Sequence, residues 1–384
     1  MRFPEFSEEW SLNLLNKFAK NITKKNKGNQ ITNVLSNSAN YGIIQQSDFF
    51  DRSIANTENT EGYYVISHDD FVYNPRKSTA APYGPINIYE GEKEGIISPL
   101  YLCFKTKGIN KKFLYHFFKS PKWYPYMYVN GDSGVRHDRV SIKDETFLEL
   151  PIKYPSPREQ EKIAVFLDAI DVRIATQIRI IEDLKSLSDV ICQRLYAPTG
   201  DKKWQTYKYA DLFSVSNERN SKLQYSNVLS ASQEYGMVER NELNIDIKFD
   251  TSSIINYKIV RPDEYVIHLR SFQGGFAYSD KTGVCSPAYT ILVPNEKLST
   301  AFLKYYFTSK KFIDSLRIVT YGIRDGRSIN VEEFLQLKVA IPPIPHQQHI
   351  AKVMQLWEEK IRTEESYLTK LQQQKQYLLA EMFV

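Results

Sequence analysis

Cysteine is scarce in this chain of 384 residues: Cys103, Cys192 and Cys285 lie far apart and never form a CxxC pair. That excludes a disulfide scaffold and a zinc knuckle, and makes a reducing cytoplasm the expected home. No run approaches the roughly 18 apolar residues of a membrane span, and the start MRFPEFSEEW lacks a signal-peptide pattern. Catalytic signatures are missing too. There is no GxxxxGK[ST] loop, no GxGxxG after a strand and no Asn/Asp-Pro-Pro-aromatic box. His346 and His349 form an HxxH without the acidic partner of HExxH, and read as surface or capping histidines. Pro262-Asp263-Glu264 lacks a downstream ExK and reads as a turn into a strand at Tyr265–Leu269. Cys285 has no matching cysteine in the other half of the chain. Neither a catalytic residue nor a metal site is expected.

What is present is a duplication. Asn33-Val34-Leu35-Ser36 recurs as Asn227-Val228-Leu229-Ser230, Trp10 as Trp204, Tyr41-Gly42 as Tyr235-Gly236 and Arg76 as Arg270, all 194 residues apart. Further on the offset falls to 189 (Phe113-Leu114 and Phe302-Leu303) and then to 187 (Phe147-Leu148 and Phe334-Leu335, Gln160 and Gln347, Ile163-Ala164 and Ile350-Ala351). Chance matches scatter, whereas these drift by loop-sized steps, so the chain is two copies of one unit.

Each copy changes character at a proline cluster: Pro151, Pro155 and Pro157, then Pro342, Pro343 and Pro345. Before it, short Tyr/Ile/Val-rich runs such as Tyr63–Ile66 and Tyr265–Ile267 read as strands, with helices at Lys111–Lys119 and Thr300–Ser309. After it, neither copy has proline or glycine for about 40 residues. Apolar residues fall there at heptad spacing: Leu167, Ile170, Ile174, Ile181, Leu184, Ile191 and Leu195, then Met354, Trp357, Ile361, Leu368, Leu371, Leu378 and Met382. Each helix would be roughly 60 Å long. Their seams pack most economically on each other, and the polar interruptions at Gln177, Ser188, Glu364 and Lys375 suit an intramolecular pair. The expected class is α+β: two pseudo-symmetric globular domains (1–150 and 198–337) joined and spaced by two helices (151–197 and 338–384) packed as an antiparallel coiled coil.

The formal charge is +5, from 50 Lys and Arg against 45 Asp and Glu, and 13% of residues are aromatic. From Gly95 to Gly131 no acidic residue occurs, while Lys105, Lys107, Lys111, Lys112, Lys119 and Lys122 do. Lys297–Ile313 is likewise acid-free.

The duplicated junctions Pro155-Ser156-Pro157-Arg158-Glu159-Gln160-Glu161-Lys162-Ile163-Ala164 and Ile341-Pro342-Pro343-Ile344-Pro345-His346-Gln347-Gln348-His349-Ile350-Ala351 resemble those of the specificity subunit of type I restriction–modification systems. Gly322–Ile329 with its partner Gly134–Arg139, and Ser98–Tyr101 with Ser286–Tyr289, add to the resemblance, which covers the whole chain. It implies a non-enzymatic reader of double-stranded DNA. Each target recognition domain would read one half of an asymmetric bipartite site, and the helix pair would set the spacer and dock two methyltransferase subunits. Translocase–nuclease subunits complete such an enzyme. The chain itself needs no cofactor; S-adenosylmethionine, ATP and Mg would belong to the partners. The competing readings are an interaction scaffold with incidental basic loops and an unrecognised nuclease or methyltransferase.

Base readout favours Arg on guanine and Asn or Gln on adenine. Arg324 and Arg327, the equivalent Arg136 and Arg139, and the strand-following Arg76, Lys77, Arg270 and Gln273 are therefore candidate DNA contacts. For these loops the alternative is a tight turn whose arginines pair with Asp325 or Asp138. Tyr41 and Tyr235 would lie against a base or the backbone, or else end a strand in the core. Lys111 and Lys112 would hold phosphates, or else form a solvated helix face. Phe113, Phe117, Phe302, Tyr306, Trp10 and Trp204 are expected in the core.

Overall fold

The computed structural model describes residues 1–46, 60–133, 138–198, 204–232, 235–240, 251–268, 275–321 and 328–383. The chain divides into two units, Met1–Ile178 with Ser366–Val384, and Arg179–Glu365.

In the first unit the short β-rich runs form two four-stranded sheets. One is antiparallel, in the order Ala19–Asn21, Leu102–Thr106, Phe71–Tyr73, Ile86–Ile88. The other runs Gly42–Gln45, Val34–Ser38, Gly95–Ile97, Tyr64–Ile66, its central pair parallel. The helix Lys111–Lys119 starts where Asn110 accepts the Phe113 N–H at 2.9 Å, an N-cap that satisfies one free helical donor. It buries Phe113 and Phe117 in an aromatic core where Tyr73 stacks on Phe147 at 4.6 Å. A ribbon of Ser11–Leu14 against Pro151–Tyr154 closes the domain.

The second unit repeats this order. Its antiparallel sheet runs Phe213–Ser216, Thr290–Pro294, Tyr265–Ile267, Phe276–Tyr278. The hairpin Leu229–Ser232/Gly236–Glu239 and the pair Lys258–Val260/Gly283–Cys285 are joined by one parallel bridge, Val228–Val284. Gln205–Lys208 pairs with Lys338–Ile341, and Tyr209 stacks on Phe334 at 4.5 Å. The helix expected at Thr300–Ser309 is shorter, Phe302–Thr308, because Ala301 at its N-cap adopts φ 57° and offers no side-chain cap. Phe302 is buried, but Tyr306, Trp10 and Trp204 are only partly so.

The two long helices are Pro157–Leu195 and Ile344–Met382. Each contributes one half to either unit, and within a unit the halves pack antiparallel. In the first unit Asp171 pairs with Lys375 and Arg173 with Tyr367, one index rising as the other falls. In the second, Lys185 meets Glu365 at 2.7 Å. The heptad positions are buried or half-buried throughout both helices, including Gln177 and Lys375. Lys375 is tolerated there because Asp171 neutralises it. Each domain helix is clasped by the end of a long helix: Phe383 lies 5.3 Å from Phe113 in the first unit, and Tyr196 lies 5.2 Å from Phe302 in the second.

Candidate nucleic-acid interface

Three of the sequence candidates, Arg76, Lys77 and Arg139, come together in the first unit. Asn74 turns the chain out of the Phe71–Tyr73 strand, its N–H bonding Pro85 O at 3.0 Å while its side chain accepts the Arg76 N–H at 3.0 Å. The next residues then run against Asp138–Val140. The Lys77 N–H donates to Asp138 O at 2.8 Å, the Val140 N–H donates to Pro75 O at 2.9 Å, and Arg76 faces Arg139 in an antiparallel bridge. Both arginines are exposed, Arg76 by 68% of its side chain. Among the described residues Asp138 offsets them, 4.0 Å from Arg76 Nε. Like charges directly opposite across strands destabilise a sheet by a few tenths of a kcal/mol or more. A fold that keeps them presents a fork of guanidinium donors suited to a polyanion.

Tyr41 and Tyr235 sit at equivalent hairpin tips, 65% and 62% exposed, so neither is a core residue. Each precedes a glycine at φ 72° or 73°, a conformation that any other residue adopts only with strain. Lys111 and Lys112 are held by carboxylates, Lys111 on Asp69 at 2.8 Å and Lys112 on Glu90 at 2.5 Å. The bond from Lys111 holds the Asp69 carboxyl below its ordinary range. The sequence stretch is free of acids, but its surroundings are not. Arg136, Arg270, Gln273, Arg324 and Arg327 lie outside the described residues.

The structure also explains residues set aside as non-catalytic. Asp263 (φ 70°) accepts the Tyr278 hydroxyl at 2.5 Å and Glu264 accepts the Arg261 N–H at 2.7 Å, so this carboxylate pair builds the expected turn. The strand it leads into is Tyr265–Ile267. Cys285 is buried, and burial pushes its thiol up to about 12. His116, Asp168 and Asp171 bring potential ligand atoms within 4.8 Å of one another, but Lys375 sits on Asp171 and His116 Nε2 is 2.8 Å from Asp168. The His116–Asp168 hydrogen bond docks a domain helix on the first long helix, and the Asp171–Lys375 ion pair lies beside it.

One role was missed in the sequence although its residues were quoted. Gln160 accepts the Asn110 N–H and donates to Pro155 O, both at 2.9 Å. Gln347 accepts the Ser299 N–H and donates to Lys297 O and Pro342 O, all at 2.9 Å. The glutamine of each junction fastens its long helix to its globular domain; its recurrence at offset 187 was the available signal.

The type I restriction modification DNA specificity domain matches this sequence twice, over residues 14–186 and 201–373. The chain belongs to that family. It is a specificity subunit with two DNA specificity domains. Its fold is similar to that of a chain from a structure on complex assembly and conformational transition of the type I restriction–modification system, at 13% identity and TM-score 0.60. That match covers 98% of this chain and 97% of the other. It is also similar to the S subunit of a type I restriction–modification system from M. genitalium, at 12% identity and TM-score 0.55, covering 100% and 99%. No curated protein matches the sequence. Among the described residues no helix is long and apolar enough to cross a membrane.

Proposed function

We propose that this subunit directs DNA modification without catalysing it, each domain reading one half of an asymmetric split site in double-stranded DNA. The cross-strand pair of exposed arginines, Arg76 and Arg139, carries this reading, because opposed cations without full compensation are poised for phosphates or guanine edges. Lys77 lies in the same segment. Asymmetry is supported by differences at equivalent places in the two copies: Asn37 and Asn87 in the first domain are Ala231 and Ala277 in the second. The helix pair would fix the unread spacer and dock two methyltransferase subunits, with translocase–nuclease subunits completing the enzyme. S-adenosylmethionine, ATP and Mg would be bound by those partners, in the cytoplasm.

Methylome sequencing tests this, comparing a host that expresses the chain and its cognate methyltransferase with one that expresses the methyltransferase alone. New methyl-adenine at an asymmetric split motif is the expected result. An unchanged methylome despite stable co-purification would count against it and favour a scaffold.

A further inference from the structure

The first unit contains a cleft of about 580 Å³ between the Val34–Gln45 hairpin, the Ile88–Gly91 edge, the helix Lys111–Lys119 and the second long helix at Lys375. Small-molecule sites fall in the range of roughly 300–1,000 Å³. Lys119 and Lys375 reach it, together with the side-chain amides of Asn40 and Gln45 and the rings of Tyr41 and Tyr115. Its carboxylates are already matched: Asp171 beside it holds Lys375, and Glu90 on its rim holds Lys112. Lys119 is not. It donates to the neutral Asn87 Oδ1 at 2.5 Å, lies 4.9 Å from the Tyr115 ring centre, and has no ion pair among the described residues.

The duplicated fold supplies an internal control. At the corresponding place in the second domain, among the described residues, a pocket of about 20 Å³ is lined by Gly236, Ala277, Tyr278, Lys304 and Thr308, and Lys304 is held by Glu358 at 2.7 Å. Thr308 stands where Lys119 does and Ala277 where Asn87 does, and the position matching Lys375 is Ser188. The hairpins differ in seating. A methyl group on Gly236 would lie 2.4 Å from Tyr278 O, whereas one on Gly42 would meet nothing within 4 Å. The first hairpin stands off its sheet, and the Lys119 ammonium occupies the opening with no carboxylate on it, beside the Lys375–Asp171 ion pair. The fold does not require this lysine, since Thr308 takes its place in the other copy and the lysine that reaches there, Lys304, is paired with Glu358.

We propose that this cleft binds a free phosphate-bearing ligand of nucleotide size, with Lys119 meeting the phosphate and the tyrosines flanking the remainder. Such a ligand goes beyond the DNA-reading role.

The test is calorimetric titration of the full chain with inorganic phosphate, AMP and a DNA duplex, in wild type and in Lys119→Gln. Loss of a charged hydrogen bond should weaken binding by about tenfold or more. A loss on phosphate or AMP upholds the site, and a loss on the duplex alone returns the cleft to the DNA-reading surface and overturns the proposal. If Lys119→Gln does not fold, wild type decides. Burial, with the nearby charge of Lys375, lowers the Lys119 ammonium to about 8, against the opposing pull of Asp171. Tyr41, Tyr89, Tyr115, His116, Asp168, Lys112 and Glu90 are other ionisable groups on the elements around it. Anion binding near pH 8.5 should therefore take up protons, seen as a buffer-dependent enthalpy. No binding of phosphate or AMP by wild type, or binding without proton uptake, would overturn the proposal.

Discussion

Gln347 accepts the backbone N–H of Ser299 at 2.9 Å, and this side chain fastens the start of the second long helix to its globular domain. The residue is 1% exposed and makes two further bonds, to Lys297 O and Pro342 O. Replacing it with Met fills the space but leaves three buried backbone groups short of partners. Each such group costs about 1–3 kcal/mol. Gln347→Met should therefore lower thermal stability clearly, and Gln160→Met likewise, while an exposed control such as Gln372→Met changes nothing. Hydrogen exchange at the helix starts checks this, with faster exchange expected at Asn110 in one variant and at Ser299 in the other.

The arginine pair gives a prediction of opposite sign for stability and binding. Removing one of two opposed cations relieves repulsion, so Arg139→Ala should leave stability unchanged or raise it by a few tenths of a kcal/mol. DNA affinity should fall, with the salt slope reduced by about one if a phosphate contact is lost, or with specificity relaxed by about 1–3 kcal/mol if a base contact is lost. Lys111→Ala with Lys112→Ala should barely move the salt slope, because Asp69 and Glu90 already compensate those charges. Affinity measured against ionic strength on specific and random duplexes separates these outcomes. An Arg139→Ala variant that binds as wild type would return the loop to a structural turn.

His116 is fully buried, and burial lowers its pKa despite the opposing pull of Asp168. The unfolded imidazole titrates near 6.5. As pH falls below about 6.5 the unfolded chain takes up a proton that the folded chain refuses. Stability present above that pH is then lost, by up to about 1.4 kcal/mol per pH unit, until the folded pKa is reached. His268, also lowered by burial, adds a similar slope in the second unit. His116→Gln should flatten the decline between about pH 6.5 and 5.5 without abolishing it. Thermal melts across that window test this, and an unaltered slope would mean that His116 takes up its proton as readily in the fold as in the unfolded chain.

The sequence revealed what is local or repeated. The helices Lys111–Lys119, Pro157–Leu195 and Ile344–Met382 were legible from heptads and proline, and the Pro262–Glu264 turn from its composition. Pairings made at long range were hidden. Arg76 meets Arg139 across 63 residues of chain, and Lys111 and Lys112 find their carboxylates at Asp69 and Glu90, so an acid-free stretch of sequence was not an acid-free surface. The seam position of Lys375 looked like a weakness until Asp171 was seen beside it. Buried amides left a fainter trace, an Asn in one copy aligned with an Ala in the other.

That trace supports a last prediction. Asn87 donates to Asn37 Oδ1 at 2.6 Å and to Ser38 O at 2.9 Å, and Asn37 donates to Val72 O at 2.8 Å and Pro85 O at 3.2 Å. The second domain fills the equivalent positions with Ala231 and Ala277, packed with Leu229 and Val266. A buried polar group stripped of its partner costs more than a pair removed together, since the remaining half keeps its desolvation penalty. Asn37→Ala and Asn87→Ala should each cost about 1–3 kcal/mol. The double variant should cost less than the two combined, with a coupling of about 0.5–3 kcal/mol. Hydrogen exchange of the Val34–Ser38 strand in all four proteins reads this directly, because Asn37 stands on that strand and Asn87 donates to Ser38 O at its end. Strict additivity would show that the two amides act independently and that the Ala–Ala solution of the second domain is not interchangeable with the Asn–Asn solution of the first.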